Sequence, residues 1–295
     1  MTGHGDRRLL LLHAHPDDET LMTGGTIARY LDEGVDVRVL TFTLGEQGEV
    51  IGDEWAQLVA DGGADQLGGF RIMELTRALA ELSPPDQEPL RPRFLGGAGR
   101  WRDSGMDGAP SASHPRALVQ APFEELVATL VAEIESFAPQ VVVTYDNVGT
   151  YGHPDHKLVH ETTMAALTHL KGSVHPERLK VYESVTERSA LDTGLAAAAG
   201  RVPEGWTMPG PGQLPSYPDD EITTEIDVAA QYPRKVAALA AHATQVTVAP
   251  SGTEYALSNN VLQPIGEREH FILTGPWDGR PVRDGRETDL FDGVG

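Results

Sequence analysis

Two short stretches hold most of the side chains in this sequence that could do chemistry. The first is His13-Ala14-His15-Pro16-Asp17-Asp18-Glu19, with two imidazoles and three carboxyls in one run. The second is Tyr151-Gly152-His153-Pro154-Asp155-His156. Burying so many polar groups without a partner would cost several kcal/mol or more, and a divalent ion turns that cost into binding. His15 and Asp18 span one turn. A histidine of the second stretch would complete a set of two imidazoles and one carboxylate. Three protein ligands with one open position is the pattern of catalytic zinc, and imidazole disfavours Ca2+ and Mg2+. The same donors serve non-haem Fe(II). An Fe(II) oxygenase, however, would be expected on a jelly-roll barrel, and this chain alternates helices with strands.

Other histidines near these stretches have plainer readings. His13 shares a strand face with His15 and is expected to be buried with its ring hydrogen-bonded. His160 lies one helical turn beyond His156 and is a lesser ligand candidate. His156 itself is expected in the first turn of a helix, where the macrodipole disfavours the imidazolium and keeps the ring free to ligate. His242 is expected to pack or hydrogen-bond within a helix spanning Ala229 to Gln245.

The surrounding elements must bring the two stretches together. Leu9 to His13 reads as a buried strand, Leu21 to Leu31 as a helix stopped by Gly34, and Val35 to Thr43 as a second strand. That is a βαβ unit, which implies a parallel pair with a right-handed crossover. Helices are expected at Trp55 to Leu67, at Ile72 to Leu82 after a break at Gly68-Gly69, and at Phe123 to Phe137. Short strands are expected at Arg93 to Leu95, Val141 to Tyr145, Leu179 to Val185 and Glu221 to Val228. A further helix starts at Pro154 and runs to about His169, and Ala196 to Ala199 also reads as helical. Both polar stretches then follow parallel strands, where open α/β sheets bind ligands.

The expected fold is therefore α/β: a Rossmann-like, doubly wound, mostly parallel sheet. Residues 1–185 form the catalytic core. Residues 186–295 pack on it as an extension that completes a wall of the site, with a Pro/Gly-rich excursion at 202–220. The long stretch Gly96 to Pro115 lacks an apolar period, and its charged and aromatic residues favour a functional loop over a disordered one. The residues from Gly275 onward are expected to be loose.

Composition narrows the function classes. The chain has 295 residues, 40% of them hydrophobic, and no cysteine. Disulfides, thiolate metal sites and cysteine nucleophiles are thereby excluded. A formal charge of −21 offers no basic face for nucleic acid and is repelled by an anionic membrane. The segment Met1 to Arg8 is not a secretory signal, and the expected location is the cytoplasm. There is no G-x-S-x-G elbow, no P-loop, and no G-x-G-x-x-G after the first strand.

His15-Pro16-Asp17-Asp18-Glu19 with His153-Pro154-Asp155-His156 resembles the zinc-dependent N-acetylglucosaminyl deacetylases. That family includes the N-acetylglucosaminyl-phosphatidylinositol de-N-acetylases and the enzymes of the actinobacterial mycothiol pathway. The resemblance spans roughly residues 8 to 275. Thr43-Leu44-Gly45-Glu46, the run from Gly96 to Met106 and Ala256-Leu257-Ser258-Asn259-Asn260 look closest to the branch acting on N-acetylglucosaminyl-inositol. The branch acting on mycothiol S-conjugates is the near neighbour. The resemblance implies zinc, with Fe2+ as the alternative, on His15, Asp18 and His156. It implies Asp17 as general base, Tyr151 polarising the carbonyl, and His153 acting on the oxyanion or the leaving amine. Asp155, two residues on, could orient His153. Arg71, Asp103, Met106 and Glu49 match positions implicated in binding the small amino-sugar substrate.

Overall fold

The computed structural model describes residues 7–59, 65–170, 179–276 and 285–294. In chain order the strands are β1 (Arg8–His13), β2 (Asp36–Thr41), β3 (Arg93–Phe94), β4 (Val141–Thr144) and β5 (Lys180–Val185). They continue with β6 (Thr224–Asp227), β7 (Thr247–Val248), β8 (Glu254–Ala256), β9 (Gln263–Pro264) and β10 (Arg268–Pro276). The α-helices are α1 (Asp18–Asp32), α2 (Gln66–Leu82), α3 (Phe123–Phe137), α4 (Pro154–Leu170), α5 (Arg188–Ala198) and α6 (Tyr232–Ala241).

Seven strands form one sheet in the order β3-β2-β1-β4-β5-β10-β6. The pairs from β3 through β5 are parallel, and β10 runs antiparallel to both β5 and β6. β7, β8 and β9 make a small separate antiparallel sheet. The β1 strand pairs with β2 on one side and β4 on the other, with Leu9 opposite both Val37 and Val141. The strand order reverses at the β1–β4 pair, and a crevice opens beyond the carboxyl ends of such neighbours.

Alternation along the strands explains the two cores. Leu9 and Leu11 face a layer built from Ile27, Tyr30, Leu75, Leu79 and Ala238. Leu10 and Leu12 face Leu126, Leu130, Ile134, Val159 and Leu167. All four leucines are fully buried, each contributing about 1.5–3 kcal/mol. The tetraleucine run is apolar throughout because both faces of β1 are covered, as in other parallel sheets.

Several expectations are corrected. The α2 helix runs unbroken through Gly68-Gly69. Burial of Leu67, Leu75, Ala78, Leu79 and Leu82 outweighs a helix penalty of about 1 kcal/mol per glycine. Gly68 also serves packing, since a Cβ there would lie 2.8 Å from Glu46 Cγ. Upstream, the helix expected from Trp55 is a 3-10 helix over Asp53–Val59 with no buried residue; residues 60–64 of that expectation lie outside the described residues. The helix expected from Ala229 to Gln245 is a 3-10 turn, Ala229–Gln231, followed by α6, and His242 sits at its C-cap. Of the supposedly loose C-terminus, residues 277–284 lie outside the described residues. Beyond them, among the described residues, the chain packs through Leu290: it is fully buried, its N–H donates to Tyr30 Oη at 2.6 Å, and Tyr30 Oη donates to Asp289 at 2.8 Å. Among the described residues no helix is long and apolar enough to cross a membrane.

Candidate active site

The turn after β1 and the turn after β4 meet at the carboxyl edge of the sheet. His15 Nδ1, Asp18 Oδ2 and His156 Nε2 form a triangle in which every side measures 3.4 Å. Donors held about 2.0–2.2 Å from a tetrahedral ion lie about 3.3–3.6 Å apart, so the triangle fits one face of such an ion. Both imidazoles and the carboxylate are buried. The three donors come from one turn of β1–α1 and from the first turn of α4.

The surroundings fix which ring nitrogen faces this triangle. His15 Nε2 lies 3.2 Å from Asp155 Oδ2 and 3.4 Å from Asp103 Oδ1. A carboxylate on one ring nitrogen orients the ring and leaves the other free to ligate. Burial alone would depress the His15 imidazole. Asp103, Asp155 and Asp18 reverse that and hold it well above the usual histidine range. Burial would likewise raise Asp18, but His156 and His15 hold its carboxylate well below the usual range. The site therefore demands positive charge, which protons or a metal ion can supply.

Tyr145, the residue after β4, ties the two turns together. Its buried hydroxyl donates to Asp18 Oδ2 at 2.7 Å and accepts the Ala14 N–H at 2.7 Å. Its ring stacks on His156, centroids 4.1 Å apart. No reading of the sequence assigned Tyr145 a role. The available signal was a tyrosine closing an otherwise apolar strand, because a buried phenol needs a hydrogen-bond partner.

Asp17 lies beside the triangle and borders a cavity of about 720 Å3. Its carboxylate is 3.1 Å from the Arg71 guanidinium. Burial, opposed by Arg71 and reinforced by Asp18, pushes Asp17 up to about 7. That is near the value a general base needs at neutral pH. Arg71 also donates to the Pro16 carbonyl, and to the Gly45 carbonyl at 2.6 Å. Gly45 has φ +65°, and a Cβ there would collide with the Arg71 guanidinium at 2.1 Å.

His153 stands over the two histidines of the triangle, its ring centroid 4.6 Å from that of His15 and 5.0 Å from that of His156. The Asp155 N–H donates to His153 Nδ1 at 3.1 Å, which leaves the proton of the neutral ring on Nε2. Burial and the neighbouring His15 and His156 push His153 down to about 3. In this charge environment the ring is neutral at pH 7, with its Nε2–H available to donate a hydrogen bond. Asp155, expected beside His153, instead turns its carboxylate to His15 and to the Ser104 N–H at 2.9 Å; only its backbone touches His153.

The expected substrate contacts divide in two. Met106 is exposed, 51%, and borders the cavity, as does Tyr151, expected to polarise the carbonyl and 54% exposed. Glu49 borders it while accepting from the Ser258 hydroxyl at 2.7 Å. Arg71 and Asp103 also border the cavity, but they are buried and already engaged. Asp103 accepts the Gln47 N–H at 3.1 Å and the Gly105 N–H at 2.8 Å, besides facing His15. The 202–220 excursion reaches the site through Tyr217, whose hydroxyl donates to Asp146 at 2.7 Å.

His13 and His160 stand outside the triangle. His13 Nε2 pairs with the Thr23 hydroxyl at 3.3 Å, and His160 Nδ1 with the Tyr145 carbonyl at 2.9 Å. A second cluster of donors, Glu187, Glu225 and His270, is already balanced by Arg286 on both carboxylates and Arg268 on Glu225.

A family model described as PIG-L, GlcNAc-PI de-N-acetylase, matches residues 10–167, which contain both turns. The chain belongs to the PIG-L de-N-acetylase family. It is an amide hydrolase, and the family is metal-dependent. A Gordonia bronchialis protein named 1D-myo-inositol 2-acetamido-2-deoxy-alpha-D-glucopyranoside deacetylase is 74% identical over 287 residues, covering 97% of this chain and all of the relative. The protein of that name from Rhodococcus jostii is 58% identical, over 98% of this chain and 99% of its own.

Two solved structures share this fold. N,N'-diacetylchitobiose deacetylase from Pyrococcus horikoshii has TM-score 0.50 and 17% identity, over 80% of this chain and 69% of that one. The 4-carboxy-2-hydroxymuconate hydratase GalB from Pseudomonas putida has TM-score 0.55 and 15% identity, over 94% and 99%. A deacetylase and a hydratase on one scaffold show that the fold does not choose the chemistry.

Proposed function

We propose that this chain removes the acetyl group from an N-acetylglucosaminyl-inositol, the step that exposes an amine in mycothiol biosynthesis, and does so in the cytoplasm. The observation that carries the reading is the equilateral donor triangle of His15, Asp18 and His156, with Asp17 beside it at the cavity wall. The names of the relatives support the choice of substrate.

His15, Asp18 and His156 hold the ion, and Zn2+ suits two imidazoles and one carboxylate, with Fe2+ as the alternative. When bound, such an ion supplies Lewis acidity, lowering the pKa of water and polarising a carbonyl. The chain's own residues do the rest. Asp17, held by Arg71, orients the attacking water and takes its proton. His153 directs its Nε2–H at the oxygen that becomes negatively charged as the carbonyl carbon turns tetrahedral. Tyr151, at the mouth, adds a phenol donor on the same side. The C–N bond then breaks and acetate forms. The proton held by Asp17 goes to the departing amine, because neutral His153 has none to spare. Met106, Glu49, Arg71 and Asp103 all line the cavity that would receive the sugar-inositol, Arg71 and Asp103 from positions fixed by their buried contacts.

Acetate release from N-acetylglucosaminyl-inositol is the direct test. Turnover is expected with that substrate in preference to a mycothiol S-conjugate when the two compete, and it is expected to stop with chelator and return with Zn2+ or Fe2+. Full turnover by metal-free protein, or preference for the conjugate, contradicts the reading.

A further inference from the structure

Asp17 has a backbone that a carboxylate-bearing residue rarely adopts: φ +108° and ψ −35° at the N-cap of α1. N-cap residues normally sit in the β region and use their side-chain oxygen to cap the helix. Asp17 does neither, and its carboxylate makes no capping bond. Glycine would adopt this conformation freely, but a glycine has no carboxylate to offer. Something must hold Asp17 there.

The holding group is Glu19. Its Oε2 accepts the Asp17 backbone N–H at 2.9 Å, reaching back over the first turn as a capping-box carboxylate does. The other oxygen, Oε1, accepts the Thr20 hydroxyl at 2.5 Å and lies 2.8 Å from His242 Nε2. Glu19 and His242 are both fully buried, and they are 223 residues apart in the chain. A buried carboxylate without a partner would neutralise or turn outward. His242, delivered by the C-cap of α6, keeps it charged and in place.

We propose that Glu19, paired with His242, is a positioning residue that fixes Asp17 in its left-handed backbone conformation and thereby aims the Asp17 carboxylate into the cavity. The proposal rests on the reading of Asp17 as the base. It assigns the C-terminal part of the chain a place behind the reacting groups, reached through His242.

The test compares Glu19→Ala with Glu19→Gln, which keeps a side-chain carbonyl for the Asp17 N–H. Glu19→Ala is expected to lower kcat about 100-fold or more, the scale of a misaimed reacting group. KM and metal content should stay within about twofold, and Glu19→Gln should recover most of the rate. An unchanged kcat in Glu19→Ala, or a loss expressed as released metal, overturns the proposal. If Glu19→Ala does not fold, His242 decides: His242→Leu should lower kcat at constant KM and metal content, and His242→Gln, which keeps an N–H donor, should restore it. Equal rates in those two overturn the proposal. Crystal structures of the slow variants are expected to show Asp17 relaxed to negative φ, and an unchanged φ contradicts the assignment. Asp17→Asn separates the two claims. If it retains full activity, the base reading fails and this proposal fails with it; if it is inactive while the Glu19 and His242 variants run normally, only the positioning role fails.

Discussion

The turn after β1 and the turn after β4 both carry a histidine-proline-aspartate run, yet they are built to different standards. In the first, His15, Asp18, Glu19 and Thr20 are all buried, and Asp17 is strained, which costs about 1–3 kcal/mol in such conformations. Arg71 pairs with the Asp17 carboxylate, Glu19 accepts the Asp17 N–H, and Tyr145 holds Asp18. In the second, His153, Asp155 and His156 are buried, but Tyr151 just before them is 54% exposed and follows Thr150 at φ +61°. One turn is over-determined, and on the function proposed above it would hold the ion and the base. The other would contribute one ligand from its rigid helical end and present groups to substrate from its open end. On that reading, burial gives precision in placing the charge-bearing groups, and the exposed rim gives the sugar access.

Substitutions in each turn sharpen this contrast. Asp17→Asn should lower kcat by about 100- to 10,000-fold, the range for a lost general base, with metal content unchanged. His153→Ala should lower kcat about 100- to 1,000-fold, as for a lost oxyanion donor, again with metal retained. Because His153 is neutral far below pH 7, no basic limb of the pH–rate profile should disappear with it. A vanished basic limb would mean that His153 works as a proton donor. Tyr145→Phe touches neither substrate nor ion, yet it should weaken metal affinity about 10- to 100-fold, by analogy with other groups that orient ligands. Equilibrium competition with a chromogenic chelator measures this, and unchanged affinity would leave Tyr145 a packing residue.

Metal removal has a pH signature. In the metal-free protein His15 binds its proton more tightly than in the unfolded chain, since its value is raised above 6.5 by Asp103, Asp155 and Asp18 against burial. The stability this contributes is complete below about 6.5 and is lost as pH rises through the raised folded value. Metal-free protein should therefore show a falling Tm as pH rises above about 6.5, and Zn2+ should restore it most strongly on that alkaline side. A Tm of the stripped protein that climbs with pH contradicts the charge balance described here. Tyr217→Phe should have the smallest effect, about threefold or less on KM and none on kcat. Its contact with Asp146 is shared by the Thr150 N–H at 2.6 Å, so the rim keeps a second tie.

What could be read directly from the residues was periodic or locally dense. The apolar runs at β1 and β4 and the period of Phe123 to Phe137 placed the strands and the helix because burial is written into their spacing. The two polar turns announced themselves by crowding. Less legible were contacts whose two ends are far apart and individually ordinary. Tyr145, Glu19 and His242 acquire meaning only when β4, α1 and α6 are packed together. Arg71 and Asp103 line the cavity as the sequence suggested, but the buried hydrogen bonds and ion contacts that also tie them to the protein were not legible from the residues alone. The unbroken helix at Gly68-Gly69 shows the same limit, since local propensity there yields to a packed face. The antiparallel β10 is less legible for a related reason: it opens on charged residues whose partners lie on the neighbouring strand, such as Arg268 with Glu225 of β6 at 3.1 Å.

The central claim is that one ion joins the two turns. A crystal structure with one equivalent of Zn2+, with anomalous data collected at the zinc edge, tests it most directly. The expected result is a single peak within about 2.0–2.2 Å of His15 Nδ1, Asp18 Oδ2 and His156 Nε2. A peak instead on the far side of His15, between Asp103 and Asp155, or at Glu187, Glu225 and His270, would contradict the account.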